Sequence, residues 1–275
     1  MPSRIEKTFK ELKVQGRSAF IPYITAGDPD INLSQKILNS LPSGGADIIE
    51  VGMPFSDPMA DGPAIQQAGI RALGNGQNMK KTFSMVKNFR LQNNYTPLIL
   101  MGYYNPILQF GNENFLSECS KSGVDGLIVV DLPIEHSQEL CKPAQESGID
   151  FINFITPTTS PERLKNILDV STGFLYYVSI AGITGTKTPD IKILENMIKK
   201  IKTYTNLPVG VGFGIKDAEQ VKSISKFSDA IVIGSSIVNK IKDLKIQNLT
   251  DDELIESLVK FLLNLSSGLQ RRNQF

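Results

Sequence analysis

Glu50 interrupts an apolar run, Ile48-Ile49-Glu50-Val51-Gly52. In an extended strand, side chains alternate between two faces, so Ile48, Glu50 and Gly52 share one face and Ile49 and Val51 the other. With Ile49 and Val51 turned toward covering helices, Glu50 points inward and loses water. A desolvated carboxyl has a raised pKa, which is what a general acid or base needs near neutral pH. The competing reading is a structural Glu paired with a buried base, but no basic residue sits at a comparable strand exit. The loop that follows, Met53-Pro54-Phe55-Ser56-Asp57-Pro58-Met59-Ala60-Asp61-Gly62-Pro63, is long and stiffened by prolines. It offers two more carboxylates. Asp61 could be a second catalytic carboxylate or an N-cap for the helix beginning at Pro63, and Asp57 could act in chemistry or shape a turn.

A different chemistry is suggested by Gly212-Phe213-Gly214 and Gly234-Ser235-Ser236. Glycine lets the backbone come close to a ligand, and a helix starting near Ser235 would aim free N–H groups at an anion. The segment Ile180-Ala181-Gly182-Ile183-Thr184-Gly185-Thr186-Lys187-Thr188-Pro189 has the small, hydroxyl-bearing composition of a lid. Met101-Gly102-Tyr103-Tyr104-Asn105-Pro106 could supply an aromatic wall or simply core.

These residues need a frame. Apolar runs recur at residues 19–25, 47–52, 97–103, 124–130, 150–155, 174–179, 208–213 and 230–234, separated by amphipathic stretches such as 34–41, 63–73, 115–122, 135–147 and 191–204. Runs as continuous as Leu127-Ile128-Val129-Val130 fit strands covered on both faces, hence a parallel sheet. Eight strands alternating with helices predict an α/β fold of the closed (β/α)8 type, a TIM barrel. No GxGxxG turn follows the first strand, as an open dinucleotide-binding sheet would require. Barrels of this kind carry their sites at the C-terminal strand ends and bind phosphate after strands seven and eight, where both glycine motifs fall. Gly44-Gly45-Ala46-Asp47, Ser122-Gly123-Val124-Asp125 and Ser147-Gly148-Ile149-Asp150 lie at strand entrances and read as structural punctuation. Ile5, Phe9 and Leu12 predict an extra N-terminal helix that plugs or flanks the barrel bottom. The apolar stripe from Leu254 to Leu263 predicts a C-terminal helix over 251–265. A single domain over 1–275 is expected, frayed after about 266.

Composition narrows the function. Lys and Arg total 29 against 28 Asp and Glu, a net charge of +1, which gives no basic stripe for nucleic acid. No apolar run is long enough to cross a bilayer, and the charged start is unlike a signal peptide. Only Cys119, Cys141 and His136 are available as soft or imidazole ligands, so no metal site is expected and a cytoplasmic setting is. The sum is a barrel enzyme using carboxylate acid–base chemistry on a small phosphorylated metabolite.

The segment from Glu50 to Pro63 closely resembles the signature of the tryptophan synthase alpha family. So do Pro22-Tyr23-Ile24-Thr25-Ala26-Gly27-Asp28-Pro29, Gly102-Tyr103-Tyr104-Asn105-Pro106, Ile183-Thr184-Gly185 and Gly212-Phe213-Gly214-Ile215. The resemblance implies a lyase of tryptophan biosynthesis that splits indole-3-glycerol phosphate into indole and D-glyceraldehyde 3-phosphate by a retro-aldol reaction. Glu50 matches the acid/base, and Asp61 the carboxylate that accepts the indole N–H. Tyr176 matches a substrate-side tyrosine and Thr184 a lid threonine; Tyr23, Leu100, Tyr103 and Ile155 are expected around the substrate. Gly185, Gly214, Gly234 and Ser235 match phosphate-binding positions. The resemblance further implies a beta subunit in an alpha2beta2 heterotetramer, docking through the loop from Pro54 to Pro58 and the stretch from Asn105 to Gly111. Pyridoxal phosphate is expected only in that subunit and no cofactor in this chain. Two departures are Ile180, where some members have Arg, and His136, where relatives often have an acid. Rival readings are another phosphate-binding barrel, such as an isomerase, and a catalytically silent clamp on a beta chain; the Glu50–Asp61 pair speaks against both.

Overall fold

The apolar runs become the staves of a parallel sheet that closes on itself. The computed structural model describes residues 2–178, 191–212 and 214–269. Its strands are β1 (Ala19–Thr25), β2 (Ile49–Gly52), β3 (Leu98–Gly102), β4 (Gly126–Val129), β5 (Asp150–Phe151), β6 (Asn153–Ile155), β7 (Leu175–Val178), β8 (Val209–Gly212) and β9 (Ala230–Ile233). They follow the order β5-β4-β3-β2-β1-β9-β8-β7-β6, with every pairing parallel. The two ends of that order, β5 and β6, are separated only by Ile152. Asp150 and Phe151 pair with β4, whereas Asn153 to Ile155 pair with β7. The run 150–155 therefore changes partner midway and closes a (β/α)8 barrel.

The helices among the described residues are α1 (Arg4–Gln15), α2 (Ile31–Ser40), α3 (Pro63–Gly74), α4 (Met79–Gln92), α5 (Tyr104–Phe110), α6 (Asn112–Ser122), α7 (Gln138–Glu146), α8 (Pro161–Val170), α9 (Ile191–Lys202), α10 (Ala218–Ser225), α11 (Ser235–Ile246) and α12 (Asp251–Ser266). The stretch expected as one helix over 135–147 is instead a 3-10 turn, Ile134–His136, followed by α7, and His136 is exposed on that turn.

Alternation along the strands divides the apolar residues between two cores. Phe20, Ile24, Ile49, Val51, Leu100 and Leu127 face outward and pack with helix residues such as Leu33, Ile37 and Phe83. Ile21, Ile48, Ile99, Ile128, Ile152 and Phe174 face inward, joined by Ile5, Phe9 and Leu12 of α1. The N-terminal helix is thus a plug. Ser3 caps its start and Gly16, with φ 67°, ends it. Phe9 meets Phe174 with ring centroids 5.6 Å apart. α12 begins with a capping box, Thr250 with Glu253, and buries Leu254, Leu258, Leu262 and Leu265. Leu263, expected on the same stripe, is 47% exposed, because one residue past Leu262 the helix has turned about 100° away.

The strand-entrance aspartates explain the repeated glycine–X–Asp pattern. Gly45, Gly123 and Gly148 all have positive φ, at 88°, 86° and 77°. Asp47 then accepts the Phe20 N–H at 2.8 Å and a two-pronged Arg17 contact, and Asp125 accepts the Leu98 N–H at 2.8 Å together with Arg4 and Arg90. Asp229 does the same for Val209 N–H at 2.9 Å without a preceding glycine. Asp125 and Asp229 satisfy the first N–H of a neighbouring strand, and Asp47 the second. Arg90 is 8% exposed, so removing Asp125 would strand a buried cation. Asp125→Ala is expected to lower stability in urea by about 3–5 kcal/mol, against roughly 1–2 kcal/mol for Asp47→Ala, whose Arg17 is partly solvated. Equal losses in the two urea melts would contradict this account.

Candidate active site

The outward packing of Ile49 and Val51 leaves Glu50 no choice but the barrel interior. It is 1% exposed, and its Oε2 has no hydrogen-bond partner among the described residues. Burial is the larger cause and the nearby Asp61 charge the smaller, and together they push its pKa up to about 8.

Asp61 is not the cap of the following helix. Gly62 occupies that position with no side-chain bond, and Pro63 opens α3. The Asp61 carboxyl is half-buried and faces the site near the Tyr103 hydroxyl, which favours its charged form. The same hydroxyl accepts the Ala60 N–H at 3.1 Å, so Tyr103 pins both the loop and its carboxylate. The Phe55 ring packs on Tyr103 with centroids 5.5 Å apart. Burial raises the Asp61 pKa and the Tyr103 bond lowers it, with a net result of about 6. Further along α3, Arg71 grips the buried Asp28 carboxylate through two contacts of 2.7 and 3.0 Å, which ties the helix to the loop after β1. At neutral pH the pair is split: Glu50 holds a proton and Asp61 is ionised. Asp57 is exposed, bonded to Ser56, and does not line the cavity.

The carboxyls open on a cavity of about 630 Å³ at the C-terminal strand ends. Tyr23, Met101 and Tyr176 line it beside Glu50 and Asp61; Gly214, Gly234, Ser235 and Ser236 also line it, with Lys216 and Lys240. Two strand-end glycines make room for the tyrosines. A Cβ on Gly52 would lie 2.0 Å from the Tyr23 Oη, and one on Gly212 would lie 2.3 Å from the Tyr176 Oη. Phe154 meets Tyr176 edge-on at 5.0 Å. Gly214 has φ 66°, and Ser236 donates from its hydroxyl to the Ile215 carbonyl at 2.7 Å, fixing the β8 exit against the start of α11. The first N–H groups of that helix have no acceptor within it.

Two residues expected around the substrate lie elsewhere. Leu100 pairs with Val51 and packs outward, and Ile155 pairs with Tyr177 and also packs outward. Their neighbours Met101 and Phe154 take the inward places, level with Gly52 and Tyr176. Counting in twos from Ile99 would have found Met101. Tyr103, expected at the substrate, acts on Asp61. Tyr23, Tyr176, Gly214, Gly234 and Ser235 do gather on one cavity. Thr184 and Gly185, with the rest of the lid segment, lie outside the described residues. Lys216 and Lys240 were not anticipated; no spacing pattern marks them.

A barrel plugged at its base, with a neutral carboxylic acid beside a carboxylate and a glycine-lined helix start on the same cavity, defines a (β/α)8 acid–base enzyme. The family model described as tryptophan synthase alpha chain matches residues 9–264. This chain belongs to that family, and it is a lyase of tryptophan biosynthesis. The tryptophan synthase alpha subunit of Legionella pneumophila str. Paris is 36% identical, with a TM-score of 0.90 and 98% of each chain covered. A chain of tryptophan synthase from Mycobacterium tuberculosis is 30% identical, with a TM-score of 0.88 and 100% of each covered.

The raised pKa of Glu50 has a thermodynamic sign. The folded chain holds this proton more tightly than the unfolded chain, so the contribution is intact below about pH 4.5 and is lost as pH rises through about 8. Glu50→Gln removes the penalty. The variant is expected to be more stable than the wild type by on the order of 3 kcal/mol at pH 7, with no advantage near pH 4. Thermal melts across that range check it, and a destabilised variant at pH 7 would contradict the burial argument.

Proposed function

We propose that the cavity binds indole-3-glycerol phosphate and cleaves it to indole and D-glyceraldehyde 3-phosphate. The observation that carries this reading is a fully buried carboxyl, Glu50, and a half-buried one, Asp61, on the same cavity, environments that favour a proton on the first and a charge on the second. Protonated Glu50 gives its proton to C3 of the indole ring, while ionised Asp61 accepts the indole N–H and stabilises the positive charge that develops. Glu50, now a carboxylate, takes the proton of the glycerol hydroxyl on the adjoining carbon. The carbon–carbon bond breaks, its electrons return to the ring, and the carbon bearing the hydroxyl leaves as the aldehyde. Glu50 ends protonated, as it began, its first proton now on C3 of indole and the hydroxyl proton in its place.

Tyr23, Met101, Phe154 and Tyr176 provide the aromatic and apolar surround for indole, and Tyr103 holds Asp61 in place. Gly214, Gly234 and Ser235 offer backbone N–H groups to the phosphate, with Gly185 and the lid residue Thr184 completing the site on closure. The family implies a beta subunit as partner. An alpha2beta2 assembly docked through the loop from Pro54 to Pro58 and the stretch from Asn105 to Gly111 is supported by the packing of Phe55 on Tyr103, the residue just before α5, which brings the first segment close to the helix that holds most of the second. Exposed Leu108 and Met59 lie in or beside them, 52% and 72% exposed. Pyridoxal phosphate belongs to the beta subunit in this reading, and this chain needs no cofactor. No helix among the described residues is long and apolar enough to cross a membrane; a cytoplasmic, bacterial setting is part of the proposal.

Indole release from indole-3-glycerol phosphate tests it. Wild type is expected to be active and faster with a beta subunit. Glu50→Gln and Asp61→Asn should each lose about 10²–10⁴-fold. The kcat/KM profile should be a bell whose limbs belong to the carboxyl pair, rising near pH 6 and falling near pH 8. No indole from wild type with a matched beta subunit would overturn the assignment.

A further inference from the structure

Tyr23 carries a polar atom that the reading above does not use. It stands on β1 directly opposite Glu50 on β2, and both side chains turn inward. Residues in register on adjacent strands have side chains about 5 Å apart at their bases. The Tyr23 ring is 7% exposed and reaches sideways until its hydroxyl lies over Gly52, the inward position next above Glu50. Gly52 makes that reach possible, since a Cβ there would collide with the hydroxyl at 2.0 Å. The hydroxyl meets Thr25 Oγ1 at 3.3 Å, longer than an ordinary O–H···O bond, and either atom can be the donor. The phenol hydrogen is therefore loosely committed. Its register partner Glu50 has an Oε2 that is buried and unpartnered among the described residues.

A protonated Glu50 tolerates this arrangement. The carboxylate left after proton transfer does not, because a desolvated anion needs donors. The titratable side chains facing Glu50 are Asp61 from the loop before α3, Tyr23 from β1 and Tyr176 from β7; Tyr103 stands behind Asp61, and Lys216, Lys240 and Asp243 lie on the same cavity wall. The Tyr176 hydroxyl is placed over Gly212 of β8 and has Glu50 as its leading charge, whereas the Tyr23 hydroxyl lies over Gly52 of β2, on the strand that carries Glu50, and feels Asp61 and Glu50.

We infer that Tyr23 is a positioning residue for Glu50, its hydroxyl turning from Thr25 to donate to the Glu50 carboxylate once the proton has gone to substrate. This inference rests on the retro-aldol reading. No covalent bond is made or broken at Tyr23: the phenol keeps its proton and exchanges one hydrogen-bond acceptor for another. Burial and the two carboxyls hold the phenol pKa well above its ordinary value, so it remains a donor throughout the working range.

Profiles of kcat/KM against pH for wild type, Tyr23→Phe and Thr25→Val test it. A hydrogen bond to the charged form lowers a pKa, so deleting the donor should raise the falling limb by about 0.5–1 unit in Tyr23→Phe. Thr25→Val keeps the phenol and removes its competitor, so its limb should stay in place or move down. Should Tyr23→Phe turn over too slowly, a carbon-13 titration of the Glu50 carboxyl in the intact chain reads the same shift. A Tyr23→Phe limb within about 0.2 unit of wild type, or an equal rise in Thr25→Val, overturns the inference. Absence of indole from wild type would instead remove the reading beneath it.

Discussion

Water is kept from the middle of this barrel, and the behaviour of Glu50 follows from that exclusion. Ile5, Phe9 and Leu12 of α1 seal the base, a layer of Ile48, Ile99, Ile128 and Ile152 lies above them, and Glu50 is the next inward side chain on β2. A carboxyl at that height has no bulk water and, among the described residues, no cation that lowers its pKa. Asp61 sits near the end of the long loop that follows, at the cavity's half-buried edge, where the Tyr103 hydroxyl favours its charged form. The same side-chain chemistry is thereby held in two protonation states by depth and by one hydroxyl. The plug helix, remote from any substrate, is part of the acid–base apparatus in this sense.

The two ends of the barrel divide their labour. At the base, aspartates at strand entrances close the sheet's free N–H groups and draw in Arg4, Arg17 and Arg90. At the opposite end, small residues prevail: Gly52, Gly212, Gly214 and Gly234 leave space into which Tyr23 and Tyr176 can lean and toward which α11 starts. Charge pairing stiffens one rim, and missing side chains shape the other.

Much of this was legible in the chain itself. Strands buried on both faces must be apolar at consecutive positions, so the eight runs stood out, and so did an acid that broke one of them. Helix faces, an extra N-terminal helix at the barrel's base and the glycine–X–Asp punctuation followed from spacing, while contact with the inner core decided that this helix plugs the barrel and does not flank it. Leu100 and Ile155 show where legibility ends. Which parity of a strand faces inward is set by register with its neighbours, and a shift of one residue exchanges the two faces. Glu50 carried its own signal, being polar among apolar residues, but Leu100 and Met101 are both apolar and only pairing with Val51 and Gly52 separates them. The change of partner at Ile152 and the grip of Tyr103 on Asp61 are likewise facts of contact between segments distant along the chain.

The register Ala19↔Ala230 joins β1, near the start of the chain, to β9, its last strand. Until residues 230–233 have been synthesised, β1 has β2 on one side and an open row of backbone donors and acceptors on the other. A nascent chain leaving the ribosome therefore carries an unfinished seam for most of its synthesis, with its interior open to solvent along that gap. The barrel becomes watertight only when nearly the whole polypeptide has emerged, and no N-terminal fragment can hold Glu50 in its dry setting alone.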